Sequence, residues 1–285
     1  MSGFDPAEHR AQSLQNWEEA AAGWSRRAAL VRDWTAPVSH WMVNAVELQA
    51  GERVLELAAG LGETGMLAAE LVAPGGGVVI SDQAEAMLEG ARARARELGL
   101  QNVEFEVYNA EWIDLPLASV DAVLCRFGYM LMTDPGAALA ESRRVLRPGA
   151  GRLGLAVWDE PEANPWFALF AHELRERELV PRNGAAGPGP FSLSEPGAVA
   201  AALEQAGFAV ERVEPLELVR RHASFDELWD VQLDMSRALH DTVMSLPQEE
   251  IERIHAAMRE RFAPFTAGDG TLEIPARAIV ALASA

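Results

Sequence analysis

The chain contains no lysine, because all 24 of its basic residues are arginines. This absence excludes Schiff-base chemistry and the lysine-containing phosphate loop of nucleoside triphosphatases. There is also only one cysteine, Cys125, which excludes an intrachain disulfide and a thiolate zinc cluster. Its neighbours Ala122, Val123 and Leu124 predict a buried residue with an unreactive thiol.

Positive charge is scarce and unclustered. The formal net charge is −19 and the pI is near 4.7. Duplex nucleic acid requires a basic surface, so we expect no nucleic-acid partner. No signal peptide and no run of about eighteen apolar residues is present, so we expect a cytoplasmic protein without a membrane span. The six histidines form no ligand pattern such as H-E-x-x-H, and we expect no metal site.

The segment Val54 to Gly65 organises the rest of the chain. Its apolar start, with Glu56 inside it, predicts a buried parallel strand, and the glycines that follow allow a tight turn against a ligand before a helix near Met66. Gly60-x-Gly62-x-x-Gly65 also matches the dinucleotide fingerprint, and Asp82 lies twenty residues beyond Gly62. Two cofactor classes are therefore open at this point.

Asp82 follows a second buried strand, Val78 to Ile80. A carboxylate at the end of that strand would lie where the ribose hydroxyls of a bound nucleoside lie. The alternative is that Asp82 caps the helix that begins near Ala84.

Three further features favour one of the two cofactor classes: Glu56 inside its strand, Asn109-Ala110-Glu111, and Arg144 to Gly149. Together they resemble the class I S-adenosylmethionine (SAM)-dependent methyltransferases, and more narrowly the UbiE-type group that methylates quinone precursors and other small molecules. The resemblance covers about residues 17 to 158.

The resemblance implies a Rossmann-like, doubly wound α/β fold. Its seven-stranded, mostly parallel sheet would carry a helical N-terminal cap and helical insertions in the C-terminal half. We expect a cap over residues 1–48, a SAM-binding core over 49–160, and substrate-side insertions with the last two strands over 161–285. The last strand would lie beside the sixth.

The resemblance also implies SAM as cofactor and S-adenosylhomocysteine as product. The positions that it assigns to cofactor binding are Trp24, Glu56, Ala58, Gly60, Leu61, Gly62, Asp82, Gln83, Met87, Asn109, Ala110, Glu111, Arg126 and Phe127. Trp24 and Met87 could instead be packed in the core. Asn109 could belong to an ordinary turn, and Arg126 could form an ion pair at the surface. Two departures stand out: Ala58-Ala59 replaces the commoner Gly-Cys, and Leu61 replaces a small or hydroxylated residue.

The acceptor side is less defined. The aromatic residues that could form walls for an apolar acceptor, or simply core, are Tyr129, Trp166, Phe191 and Trp229. His40, His172 and His222 are candidates for a general base, and a surface or core histidine is the alternative for each. His40 is preferred because the resemblance implies a cap that closes over the site. The glycine- and proline-rich stretch 181–190 could be a mobile flap over the site.

We therefore predict a SAM-dependent methyltransferase acting on a small apolar or aromatic molecule at carbon, oxygen or nitrogen. Two alternatives remain: a nicotinamide-dependent oxidoreductase, and a methyltransferase-like protein that uses SAM without transferring its methyl group. The expected partner is a small-molecule acceptor, and a homodimer is allowed.

The C-terminal half is predicted to have a helix over Phe191 to Gly207, helices over Phe225 to Phe262 broken near Leu246-Pro247, and a last strand over Ala278 to Leu282.

Overall fold

A seven-stranded sheet lies at the centre of the computed structural model, which describes residues 4–180 and 188–285. The spatial order of its strands is β3-β2-β1-β4-β5-β7-β6. Strands β1 to β5 are parallel, and β7 runs antiparallel to both β5 and β6. The strands are β1 (Arg53–Glu56), β2 (Gly77–Asp82), β3 (Val103–Val107), β4 (Ala122–Arg126), β5 (Arg152–Trp158), β6 (Ala209–His222) and β7 (Leu272–Ser284).

Ten α-helices surround the sheet within the described ranges. They are α1 (Pro6–Arg26), α2 (Ala28–Ala45), α3 (Glu63–Val72), α4 (Glu85–Leu98), α5 (Pro135–Val145), α6 (Pro165–Glu176), α7 (Ala198–Gln205), α8 (Phe225–Met235), α9 (Arg237–Met244) and α10 (Gln248–Phe262). Helices α2, α3 and α4 bury apolar residues on one face of the sheet, and α5 and α7 do so on the other.

A separate apolar cluster joins the later helices. It brings α6, α8, α9 and α10 onto the first residues of β7, Leu272 and Ile274. Both faces of β1, β2, β4 and β5 are covered, which explains their short apolar runs, whereas the edge strand β3 alternates apolar and acidic residues and is largely exposed. The doubly wound fold predicted from the sequence is confirmed, including the position of the last strand beside the sixth.

The C-terminal half departs from the predicted boundaries. The helix expected over Phe191 to Gly207 covers only α7, because Pro196 lacks an N–H and Gly197 has φ 79° at the N-cap. The helical stretch after Phe225 breaks near Pro247 as predicted, and also at Ser236, which caps α9 through its side chain. Strand β7 begins at Leu272, six residues before the predicted start.

The predicted flap falls mainly on residues 181–187, which lie outside the described residues. Among the helices of the described part, none is long and apolar enough to cross a membrane.

Candidate cofactor site and acceptor surface

The candidate site lies where β1, β2 and β4 end. Glu56 ends β1 and pairs in register with Ile80 of β2 and Leu124 of β4. Asp82 and Arg126 are the last residues of their own strands. Because parallel strands end at one edge of the sheet, these three charged side chains and the loop after β1 meet there, at the reversal of strand order where such folds bind ligands.

The loop after β1 has an unusual backbone. Ala58, Gly60 and Gly62 all have positive φ, at 49°, 55° and 76°. A Cβ on Gly60 would meet nothing within 4 Å, so its open side is free for a ligand. Gly62 is tightly packed instead, since a Cβ there would lie 3.2 Å from Met66 and Ile80. Ala58 keeps a left-handed conformation that favours glycine, at a cost of about 1–2 kcal/mol.

Asp82 holds this loop in place. One carboxylate oxygen accepts the N–H of Gly60 at 2.8 Å, and the other accepts the N–H of Ala84 at 2.9 Å. Burial raises the pKa of Asp82, and the backbone N–H groups of Ala84, Gly60 and Gln83 oppose that rise. Asp82 therefore shapes the glycine loop and the turn before α4, but it does not cap the helix, whose N-cap Ala84 has no side-chain hydrogen bond. Its role toward the ribose hydroxyls stays a prediction.

Glu56 is the second buried carboxylate of the site. It is 1% exposed, and its Oε2 has no hydrogen-bond partner in the described residues. Burial raises its pKa to about 8, against the opposing effects of the Arg126 charge and the Gly65 N–H. A Cβ on Gly65 would lie 2.4 Å from Oε2, so only glycine leaves room for this carboxylate.

Arg126 faces the same interior. It donates a hydrogen bond to the Thr35 hydroxyl of α2, and burial lowers its pKa against the charges of Glu56 and Glu63. Arg126 therefore does not form the surface ion pair that the sequence allowed. Cys125 beside it is fully buried as predicted, and burial raises the pKa of its thiol to about 12.

The Asn109-Ala110-Glu111 segment forms a local turn. The side-chain oxygen of Asn109 accepts the Glu111 N–H at 2.9 Å. The Glu111 carboxylate is buried, accepts both Nε and Nη2 of Arg10 on α1, at 2.9 and 2.7 Å, and accepts the N–H of Asp134. Glu111 therefore joins α1, this turn and the start of α5.

Helix α1 lies across the site. Ser13 accepts a hydrogen bond from Gln83, and Glu18 accepts the free N–H groups of Glu85 and Ala86 at the start of α4. These α1 residues were missed from the sequence because their partners lie about 70 positions away. The only local signal was the amphipathic helix itself.

The apolar side of α1 packs on the same loop. Trp17 and Trp24 are 5.5 Å apart in an edge contact and cover Leu61 and Met87. The Trp24 indole N–H donates to the Met235 carbonyl at 3.2 Å, which ties α1 to the end of α8. The core reading of Trp24 and Met87 accounts for these contacts, and their roles toward a cofactor stay predictions.

Comparisons with known proteins agree with this geometry. Residues 48–172 match a family model described as a methyltransferase domain. The chain is 40% identical over 139 residues to the ubiquinone/menaquinone biosynthesis C-methyltransferase UbiE of Hahella chejuensis, covering 48% of this chain and 55% of that protein. It is 34% identical over 206 residues to an uncharacterised 37.1 kDa transposon protein of Streptomyces fradiae, covering 70% and 55%.

The fold is shared with a solved structure of a protein from Bacillus halodurans. The TM-score is 0.56 at 24% identity, over 86% of this chain and 97% of that one. Residues 48–172 are similar to methyltransferase domains. The predicted resemblance to the class I, UbiE-like methyltransferases is confirmed, and SAM is the methyl donor of that class. The chain spans about half the length of the curated relatives it matches.

Beyond the end of β4, a row of aromatic rings extends from Phe127 to Phe191. Phe127 stacks on Trp158 at 4.0 Å, and Trp158 contacts Trp166 at 5.1 Å. Phe167 continues the row at 5.8 Å from Trp166 and 4.9 Å from Phe191. Of the predicted acceptor residues, Trp166 and Phe191 lie in this row; Trp158 and Phe167 were missed because their strand and helix positions suggested only packing.

Two other predicted acceptor residues lie in apolar cores. Tyr129 is fully buried, and its hydroxyl shares a 2.7 Å hydrogen bond with Ser142 of α5. Trp229 packs against Phe170 and His255 in the cluster of later helices. Neither side chain belongs to the aromatic row, and packing is the role that their contacts support.

The histidines are spread out. His40 is exposed on α2, next to Ser39, which faces the core. His172 is exposed and lies 3.3 Å from Glu176, whereas His222 is buried at the end of β6. Within residues 4–180 and 188–285, no group of three His, Cys, Asp or Glu side chains is arranged to hold a metal ion.

Proposed function

We propose that this chain transfers the methyl group of SAM to a small aromatic or otherwise apolar acceptor. The observation that carries the proposal is the glycine loop held by Asp82 at the point where the strand order reverses. The name of the UbiE relatives, which refers to quinone biosynthesis, supports an acceptor with an aromatic or quinone-like ring.

The residues present fit a sulfonium nucleoside. The open side of Gly60 leaves room for a ligand backbone contact, and the orphaned Oε2 of Glu56 is a buried acceptor that suits an ammonium group. When bound, SAM supplies a methyl group on a positively charged sulfur, and the sulfur–methyl bond breaks as the acceptor's electron pair forms the new bond.

The chain's own residues act mainly by position. Asp82 and the glycine loop would bind the nucleoside, and Glu56 with Arg126 would orient the charged amino-acid end. Helix α1 would exclude water, and the aromatic row would align the acceptor with the methyl group. A general base is needed only for an acceptor that must lose a proton. Helix α2 holds His40 at the surface. Its role as a general base stays a prediction.

Methyl transfer is testable with a labelled donor. Purified protein is incubated with methyl-labelled SAM and a panel of phenols, hydroquinones and amines, and product labelling is followed with and without excess S-adenosylhomocysteine. We expect labelling that the product analogue suppresses and that Asp82→Asn reduces at least about tenfold.

Asp114→Asn, at an exposed position, is the matched control and should keep full labelling. SAM binding without labelling of any acceptor would favour the alternative in which SAM is used non-catalytically. Labelling that persists undiminished in Asp82→Asn would contradict the assigned site.

A further inference from the structure

Arg220 of β6 is buried without an anionic partner. It is 3% exposed, and its Nε is shielded from solvent and makes no hydrogen bond. Within the described residues, no carboxylate or carbonyl pairs with its guanidinium. The stretches 1–3 and 181–187 contain no Asp or Glu that could supply one.

An unpaired buried cation is costly, so it requires an explanation. Acidic residues are not lacking, since the chain has 43 acidic against 24 basic residues. Arg126, the other interior arginine, faces Glu56 and Glu63. Burial lowers the pKa of Arg220 to about 9, which leaves it charged at neutral pH.

Two indole rings contact this guanidinium. Its Cζ lies 3.8 Å from the Trp34 ring centroid and 4.2 Å from that of Trp166. Such contacts use the face of the guanidinium and offset part of the burial cost. Its N–H donors point along the edge and can still bind a planar or tetrahedral anion in a fork.

His222, two residues along β6, is a second unsatisfied polar group. It is 2% exposed, and neither ring nitrogen has a hydrogen-bond partner in the described residues. Burial, reinforced by the charges of Arg220 and Arg27, lowers its pKa to about 3, so the ring is neutral. Glu227 lies 3.9 Å from Nδ1, which is too far for a hydrogen bond.

Two series of side-chain contacts connect Arg220 to the candidate cofactor site. Trp166 continues through Trp158 to Phe127, the residue after Arg126. Trp34 precedes Thr35, whose hydroxyl accepts the Arg126 hydrogen bond. An acceptor lying along the aromatic row would therefore have its ring on the tryptophans and its far end at Arg220.

We propose that Arg220 binds an anionic group of the methyl acceptor, which makes the acceptor an aromatic or apolar acid bearing a carboxylate or phosphate. His222 completes the site as a neutral hydrogen-bonding partner. This inference rests on the proposed function, because it places the acceptor of that reaction.

The test uses acid probes and their neutral counterparts. Wild-type protein is first titrated with S-adenosylhomocysteine by calorimetry, then with phenylacetate, phenyl phosphate, phenylacetamide and benzyl alcohol, with and without that ligand. We expect at least one acid to bind about tenfold or more tighter than its neutral counterpart. The carboxylate and phosphate arms identify the preferred anion.

The variants separate binding from packing. Arg220→Met should abolish the preference for the acid while leaving S-adenosylhomocysteine affinity unchanged. It should also raise the melting temperature, because it removes an unpaired buried charge. Arg221→Met is the control, because Arg221 is exposed and pairs with Glu273 at 2.9 Å. This substitution should change neither the preference for the acid nor the melting temperature. Arg220→Lys, which keeps the charge without the fork, should retain a weakened preference.

The proposal is overturned if the wild type binds acid and neutral probes equally, or binds neither. It is also overturned if Arg220→Lys or Arg220→Met keeps the full preference. If Arg220→Met does not fold, the acid preference measured with Arg220→Lys tests the proposal. Failure of S-adenosylhomocysteine to bind contradicts the proposed function instead, and the acid preference measured without it still tests Arg220.

Discussion

At the scale of single residues, the site depends on buried carboxylates whose surroundings leave little freedom. Asp82 satisfies its oxygens with loop N–H groups, whereas Glu56 keeps one oxygen free and faces Arg126. The glycine loop, Glu56 and Asp82 could be identified from local sequence. The buried state of Arg220 could not, because alternation along β6 shows which residues share a face but not what covers that face.

The raised pKa of Glu56 predicts a pH dependence of binding. Its folded pKa of about 8 lies above the ordinary 4.5, so stability without ligand falls as pH rises between those values. A ligand ammonium favours the carboxylate, so S-adenosylhomocysteine affinity should rise between about pH 6 and about pH 8, by at most about tenfold per unit.

Glu56→Gln should bind more weakly and show no such rise in calorimetric titrations. The nearby groups Arg126, Glu63 and Asp82 are intact in this variant and serve as the internal control. An unchanged pH slope in Glu56→Gln would show that another group titrates.

The clearance between Gly65 and Glu56 can be measured by a double-mutant cycle. Gly65→Ala places a Cβ 2.4 Å from Oε2, so it should cost about 1–3 kcal/mol of unfolding free energy despite the helix preference for alanine. In a Glu56→Ala background the same substitution should cost less, because only the 2.9 Å approach to Ile80 Cγ1 remains. Equal costs in both backgrounds, from urea unfolding, would locate the clash elsewhere.

At the scale of elements, α1 functions as a cover because its polar groups bind the beginnings of other elements. Glu18 satisfies the start of α4, and Arg10 binds Glu111 beside α5. A helical N-terminal cap was predicted from the sequence, and α1 and α2 form it. Their docking partners were not, since helix capping by a distant carboxylate has no local pattern.

Gly23 sets the approach of α1 to α8. A Cβ at this position would lie 2.0 Å from the Asp234 carbonyl oxygen, which is backbone and cannot rotate away. Gly23→Ala should therefore lower the melting temperature and alter Trp24 fluorescence, although alanine favours the helix by about 1 kcal/mol.

Ala22→Gly, at the exposed neighbouring position, is the matched control and should show only the propensity loss of about 1 kcal/mol. A Gly23→Ala protein more stable than wild type would mean that α1 and α8 do not pack this closely.

At the scale of the whole molecule, the sheet order places the glycine loop after β1, the aromatic row at the ends of β4 and β5, and Arg220 on β6 in succession across the sheet. The parallel half could be predicted because β1, β2 and β4 are each followed by a helix and a glycine turn. The later helices could not be bounded from sequence, since Pro196, Gly197 and Ser236 divide them by backbone conformation and side-chain capping. Their packing onto β6 and β7 shapes the side of the molecule that we propose for the acceptor.

The most direct measurement of the central claim is a calorimetric titration of the wild-type chain with S-adenosylhomocysteine and, separately, with NADH. A glycine loop held by Asp82 and an orphaned Glu56 oxygen predict saturable one-to-one binding of S-adenosylhomocysteine, weakened in Asp82→Asn, and no heat with NADH. Saturable binding of NADH with no response to S-adenosylhomocysteine would contradict the account.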